Sequence, residues 1–380
     1  MSLESNILII AGEASGDQHG ASLMEEIKLI APNLNLFGIG GDKMITQGLN
    51  AVYHIRNMAF LGFTEIIRHL PFIKKVQRDI VKTVKEKNIK HAILIDYPGF
   101  NLSIAKKLKK IGIKIFYYIS PQLWAWRKGR INKIKKLVDK MIVIFPFEKK
   151  MYDEAGIDCE YVGHPLVEQI SEYPFLTKDE LFAKLNLDTN KEILLIMPGS
   201  RKQEVRKIFP EIINAAEKLC VKYNMQPVIA RAGNISESLF FENHKFENIK
   251  IVKGYTYDLL KHSKFGIIKS GTSTLEAGYF GLPGVIVYIT SKVTYTIGKA
   301  LIKINNIALA NIVAGETIYD ELIQNDVNEK NIFEKSDRIL GSETIYNSIK
   351  NKLEIIKVKL TKEEASKKAA KVIVTSLNEL

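Results

Sequence analysis

Several short segments pair small residues with carboxylates, hydroxyls or cations directly after apolar runs. Gly12-Glu13-Ala14-Ser15-Gly16-Asp17 follows the run Asn6 to Ala11. Glycines let a ligand approach the backbone, and a following helix N-terminus favours anions. Glu13 and Asp17 would repel a pyrophosphate, however, and the spacing is not the GxGxxG of a dinucleotide site. An acceptor hydroxyl or a sugar suits this loop better. A tight turn capped by Ser15 or Asp17 would use the same residues. Ile95-Asp96-Tyr97-Pro98-Gly99-Phe100-Asn101 sets an acid at the end of another apolar run, before a proline turn. A carboxylate there can act as a general base, or it can cap a helix starting near Asn101.

The second half of the chain carries two phosphate-type loops. Pro198-Gly199-Ser200-Arg201 brings backbone amides, a hydroxyl and a guanidinium that can converge on a diphosphate. Lys269-Ser270-Gly271-Thr272-Ser273-Thr274-Leu275-Glu276 follows an apolar run and opens a helix. Its glycine and small hydroxyl residues suit a phosphate. Glu276 offers two acceptor oxygens for paired ribose hydroxyls. A well-capped helix with an early glutamate would read alike.

Trp124 and Trp126, the only tryptophans, precede Arg127 in Ser120-Pro121-Gln122-Leu123-Trp124-Ala125-Trp126-Arg127. Such rings can stack on a sugar, touch an acyl chain or anchor a loop. Basic residues crowd residues 106–140. Near an anionic membrane each would contribute about 1 kcal/mol; a solvated helix face is the plainer use. Met58 to Val76 mixes aromatic and aliphatic residues with Arg68, Lys74 and Lys75. That is the pattern of an interfacial segment, and equally of a buried helix with a turn.

The elements that must hold these residues follow from the apolar runs. Runs at residues 6–11, 36–39, 91–95, 113–119 and 141–145 alternate with amphipathic, lysine-rich segments. The first helix is expected near residues 19–30. The pattern restarts with runs at 193–197, 227–230, 249–252, 265–268 and 285–288. Such alternation predicts βαβ units and parallel sheets. The fold class is α/β: two Rossmann-like, doubly wound domains facing a central cleft, followed by C-terminal helices. The boundaries are placed at residues 1–172, 173–345 and 346–380. Ligands of such sheets bind at the carboxyl ends of the strands.

Composition narrows the partners. The net charge of +13 suits anionic membrane, phosphorylated substrate or nucleic acid. Two cysteines, Cys159 and Cys220, lie in no metal-type spacing, so a reducing cytoplasm and no metal are expected. The N-terminus lacks the pattern of a signal peptide, and no run approaches the roughly 20 apolar residues that span a bilayer. The expected location is cytoplasmic, peripheral on a membrane.

The chain resembles the lipid-A-disaccharide synthase family. The resemblance is carried in order by Ala11 to Asp17, Gly38-Ile39-Gly40-Gly41, Ser120 to Trp126, Phe145-Pro146-Phe147-Glu148, Val162-Gly163-His164-Pro165, Pro198 to Arg201 and Ser270 to Glu276. It implies a GT-B fold and an inverting hexosyltransferase, without metal or other cofactor. The donor would be UDP-2,3-diacylglucosamine and the acceptor 2,3-diacylglucosamine 1-phosphate, lipid X. The products would be a β-1,6-linked disaccharide 1-phosphate and UDP, made on the cytoplasmic face of the inner membrane of a Gram-negative bacterium. Asp96 is the expected base, Asp17 the second candidate, and Glu13 completes the catalytic set. Ser200, Arg201 and the helix opening at Ser270, Gly271, Thr272 and Thr274 would hold the diphosphate. Glu276 would hold the ribose. Asn311, Trp124, Trp126 and Arg127 are expected at the substrates. Gly99 stands where many members carry a second acid, and Ala310 replaces a usual proline. A homodimer is compatible with the sequence.

Two other readings compete. A UDP-N-acetylglucosamine epimerase would use the same fold but needs no lipid surface. A basic nucleic-acid-binding protein fits the charge, but no RNA-recognition, KH or helix-turn-helix pattern is visible, and no nucleic-acid partner is expected.

Overall fold

The computed structural model describes residues 5–58, 70–121, 129–242, 249–290, 295, 306–360 and 364–378. The strands are β1 (Ser5–Ala11), β2 (Leu34–Gly40), β3 (Asn50–His54), β4 (His91–Ile95), β5 (Lys114–Tyr118), β6 (Lys140–Val143) and β7 (Cys159–Tyr161), then β8 (Glu192–Met197), β9 (Met225–Arg231), β10 (Lys250–Lys253), β11 (Phe265–Lys269), β12 (Gly284–Tyr288) and β13 (Asp320–Ile323). The helices that bear on the site are α1 (Ala14–Ile30), α2 (Asp42–Thr46), α3 (Pro98–Lys109), α4 (Lys202–Tyr223), α5 (Thr272–Tyr279), α6 (Leu309–Ala314), α7 (Glu343–Lys359) and α8 (Ala365–Asn378).

The first sheet has the order β3-β2-β1-β4-β5-β6-β7, the second β10-β9-β8-β11-β12-β13. All pairings are parallel. Ile7, Leu8, Ile9 and Ile10 of β1 are all buried, which is why the strand reads as an unbroken apolar run rather than an alternating one. Each such side chain contributes about 1.5–3 kcal/mol by burial. Ile9→Ala would leave a cavity at the centre of the sheet and cost about 2–5 kcal/mol. Both sheets reverse strand order at one place. In the first, β1 lies between β2 and β4; in the second, β8 lies between β9 and β11. These are the switch points where doubly wound sheets bind ligands.

The chain forms two compact units. One comprises Met1–Glu168 with Thr361–Leu380, the other Gln169–Leu360. The crossing therefore falls four residues before the expected 172/173 boundary. The segment 346–380, expected as a separate tail, is divided between the units. α7 belongs to the second, where it packs on α5 and α6. α8 returns to the first and packs on α1, burying Ala365, Ala369, Ala370 and Ile373. Glu168 holds the start of α8, accepting from Ser366 Oγ at 2.6 Å and Ser366 N at 3.3 Å.

Two helices begin earlier than their sequence suggests. α1 starts at Ala14, so Ala14 to Asp17 are its first turn and only Gly12 and Glu13 form the connection. α3 starts at Pro98, a residue whose missing N–H costs nothing there.

Candidate active site

In the first unit the loops after β1 and β4 flank the switch point. Asp96 and Tyr97 both adopt positive φ, 43° and 46°. Consecutive left-handed residues other than glycine are unfavourable, and the surroundings hold them in place. The Asp96 carbonyl accepts from Asn101 Nδ2 at 2.7 Å and from the Tyr117 hydroxyl at 2.6 Å. The Asp96 amide donates to the Tyr118 carbonyl at 3.0 Å. Asn101 is fully buried and also donates to the Ile95 carbonyl at 3.0 Å. Tyr97, not Asp96, occupies the position before α3, so Asp96 is not its cap. Burial, and secondly the charge of Glu13, raise the Asp96 pKa to about 6, with the Tyr97 amide pulling the other way. A carboxyl poised there is ionised at neutral pH yet basic enough to take a proton. Glu13 itself is exposed at the N-terminus of α1.

Asp17 is engaged differently. Its carboxylate accepts from the amides of Gly41 at 2.6 Å, Met44 at 3.1 Å and Lys43 at 3.2 Å. These amides start α2, and such hydrogen bonds to a carboxylate are strong. Asp17 is thus buried as the clamp between α1 and α2.

In the second unit the loops after β8 and β11 flank the other switch point. Gly199 has φ +113°, a conformation suited to glycine. Ser200 is exposed, its carbonyl accepting from Asn234 Nδ2 at 2.9 Å. Arg201 is half-exposed and precedes α4, meeting Glu204 at 3.5 Å. Glu204 also pairs with Lys269 at 3.0 Å. At the start of α5, Gly271 takes φ +155° and Thr272 is exposed. The other two hydroxyls are already used: Ser270 Oγ donates to the Ile307 carbonyl at 3.1 Å and Thr274 Oγ1 to the Gly271 carbonyl at 2.8 Å. They fix the turn. The exposed polar side chains of the two loops are Ser200, Arg201 and Thr272.

Glu276 stands on α5, and burial raises its carboxyl to about 7. Burial, and secondly the charge of Glu276, push up the Tyr257 hydroxyl nearby. No described cation or hydrogen-bond donor engages Glu276.

Asn311 is fully buried and fully used. Its Nδ2 donates to the Tyr319 carbonyl at 2.9 Å and Glu321 Oε1 at 2.8 Å; its Oδ1 accepts from the amides of Ile318 and Tyr319, both at 2.9 Å. Expected as a substrate contact, it instead ties α6 to β13. Trp124, Trp126 and Arg127 lie outside the described residues, as does most of Met58 to Val76. Among the described residues no group of three His, Cys, Asp or Glu side chains could hold a metal ion.

Asn101, Tyr117, Glu204 and Lys269 join these loops without a role expected from sequence. An asparagine three residues after a strand-end proline was the available signal for the first. The others act through partners distant in sequence.

A family model described as lipid-A-disaccharide synthetase matches residues 7–376. The chain belongs to the lipid-A-disaccharide synthetase family. A lipid-A-disaccharide synthase of Geobacter metallireducens is 36% identical over 374 residues, covering 98% of this chain and 97% of that protein. Another, of Syntrophus aciditrophicus, is 37% identical over 376 residues, covering 97% of each. Family membership makes the protein a glycosyltransferase of lipid A biosynthesis. Among solved structures, a UDP-GlcNAc 2-epimerase from Neisseria meningitidis bound to UDP-GlcNAc superposes with TM-score 0.65 at 13% identity, covering 99% of this chain and all of that one. The calicheamicin glycosyltransferase CalG4 gives 0.61 at 12% identity, covering 99% of each. At that identity these two show the fold alone, GT-B. The family's own members, not the epimerases, share its sequence.

Proposed function

We propose that the synthetase transfers a diacylated glucosamine from a UDP-linked donor to the 6-hydroxyl of 2,3-diacylglucosamine 1-phosphate. The observation that carries this reading is Asp96: a carboxyl at the first switch point, with its backbone locked by Asn101 and Tyr117 and its pKa raised to about 6. Asp96 takes the acceptor proton as the hydroxyl oxygen bonds to C1 of the donor sugar. The bond from C1 to the diphosphate oxygen breaks on the opposite face, so configuration inverts and UDP leaves with the electron pair. Arg201, Ser200 and the α4 and α5 N-termini stabilise its growing charge. Ionised Glu276 accepts from the ribose hydroxyls. Glu13 tunes Asp96 by its charge. Asp17, Asn311, Ser270 and Thr274 are positioning residues.

The acyl chains call for a lipid surface, and the anionic inner membrane is our proposed location. Among the described residues no helix is long and apolar enough to cross a membrane. Lys106, Lys107, Lys110, Lys133 and Lys136 are exposed and would face anionic lipid. Lys109 and Lys140 contribute less, being paired with Asp139 and Asp158. The test is direct: incubate the protein with the diacylated UDP-sugar and lipid X, and assay UDP and the disaccharide 1-phosphate. Hydrolysis or epimerisation of the UDP-sugar without disaccharide would overturn the reading.

A further inference from the structure

The two loops of the second unit are joined by a carboxylate that the reaction above leaves without a task. Glu204, in the first turn of α4, has only 13% of its side chain exposed. Through one oxygen, Oε1, it meets Lys269 Nζ at 3.0 Å and the Arg201 guanidinium at 3.5 Å. Its other oxygen, Oε2, is buried and has no hydrogen-bond partner. Gly199 closes over that oxygen: a Cβ there would stand 3.0 Å from Oε2.

Lys269 ends β11. Its side chain is 14% exposed, and its Nζ lies 5.4 Å from the centre of the Tyr288 ring at the end of β12. Burial draws its pKa below the ordinary value, against the upward pull of Glu204. A buried ion pair is a poor stabiliser, since apolar side chains of the same volume do as well or better. This one also strands an oxygen. Its use is better sought in what it positions. Two cations around one carboxylate leave a net charge of +1, at the carboxyl ends of the two strands that meet at the switch point. The Lys269 ammonium has three donors, of which Glu204 takes one.

We infer that Lys269 is a second diphosphate-binding cation beside Arg201, and that Glu204 is the positioning residue that holds both cations at the mouth of the two loops. The inference rests on reading the second unit as the donor site. Lys269 adds a charge-assisted hydrogen bond to a phosphate oxygen, which strengthens as the diphosphate leaves. A guanidinium and an ammonium then grip the diphosphate from two loops, one planar fork and one compact charge.

The test compares UDP with uridine, using the full chain and calorimetric titration. Lys269→Met should weaken UDP about tenfold or more, the scale of a lost charge-assisted hydrogen bond, and leave uridine unchanged. Lys269→Arg should recover much of the loss. Glu204→Gln should weaken UDP but not uridine in the protein that folds. Breaking the pair lowers thermal stability in either case; a purely structural pair would weaken both ligands alike. An unchanged ratio of UDP to uridine affinity in Lys269→Met overturns the inference. Should that variant not fold, the same ratio in Lys269→Gln decides. If the wild-type chain binds no UDP, it is the donor-site reading that fails instead.

Discussion

The ring of Tyr97 fills the space that any side chain at position 12 would need: a Cβ on Gly12 would stand 2.1 Å from Tyr97 Cδ1. The turn after β1 and the strained turn after β4 are therefore built against each other, with Asp96 beside the contact. Gly12→Ala should cost about 1–3 kcal/mol by overpacking. It should also slow turnover, because Tyr97 can yield only by shifting its neighbour. Urea denaturation and steady-state rates on the same variant check both.

As the proposed base, Asp96 must be ionised to accept a proton, so kcat/KM should rise with pH through about 6. Glu13→Gln removes a like charge and should move that limb to lower pH. Asp96→Asn should lower turnover about 10²- to 10⁴-fold while UDP affinity stays the same. There is a stability counterpart. The folded pKa lies above the ordinary 3.8. Folding therefore favours the protonated carboxyl, and that stability is lost as pH rises through about 6. Asp96→Asn should accordingly gain melting temperature relative to wild type at pH 8 and not at pH 4. An equal shift at both would count against the buried-acid description.

If Glu276 holds the ribose as proposed, UDP binding gains a pH dependence with its own midpoint. The Glu276 carboxyl titrates at about 7 in the free protein. Ribose hydroxyls donate to the ionised form and would pull that value down. UDP affinity should therefore strengthen as pH rises through about 7 and level off above it. Glu276→Gln should bind UDP more weakly at pH 8 and show a flat profile. Titrations at three pH values decide.

Asp17→Ala removes a carboxylate that serves three backbone amides. The expected loss is about 1–3 kcal/mol of stability, through unpaired amides at the start of α2. The acid limb of kcat/KM should stay near 6 in the variant that folds. A displaced limb would return Asp17 to the proton-transfer step.

The sequence is legible where physics is local. β1, β4, β5, β8, β11 and β12 are buried apolar runs, and their periodicity predicts them. β3, β7 and β13 lie at sheet edges as Asn50-Ala51-Val52-Tyr53-His54, Cys159-Glu160-Tyr161 and Asp320-Glu321-Leu322-Ile323. No residue of β3 and only one each of β7 and β13 is buried, so no apolar run marks them. The same divide runs through the site. Asp96, Arg201 and Glu276 stand at the ends of readable strands or on the helix that follows one, so their placement could be anticipated. The engagement of Asp17 could not, because its partners lie 24 to 27 residues away. Nor could that of Asn311, whose four hydrogen bonds depend on how the chain turns into β13. In both, a residue type that suits catalysis is spent on holding backbone.

The return of α8 to the first unit has a consequence for how the chain is made. Only the second unit is continuous in sequence, running from Gln169 to Leu360. Domains commonly fold in the order in which they leave the ribosome. Here the half that is synthesised first is the half completed last. β1 to β7 can pair, but the flank of α1 stays bare until α8 emerges, and the second sheet can close before that. Truncation after Leu360 would strip α8 from the first unit and leave the second intact. α8 thus closes the first unit only after the whole of the second has been made.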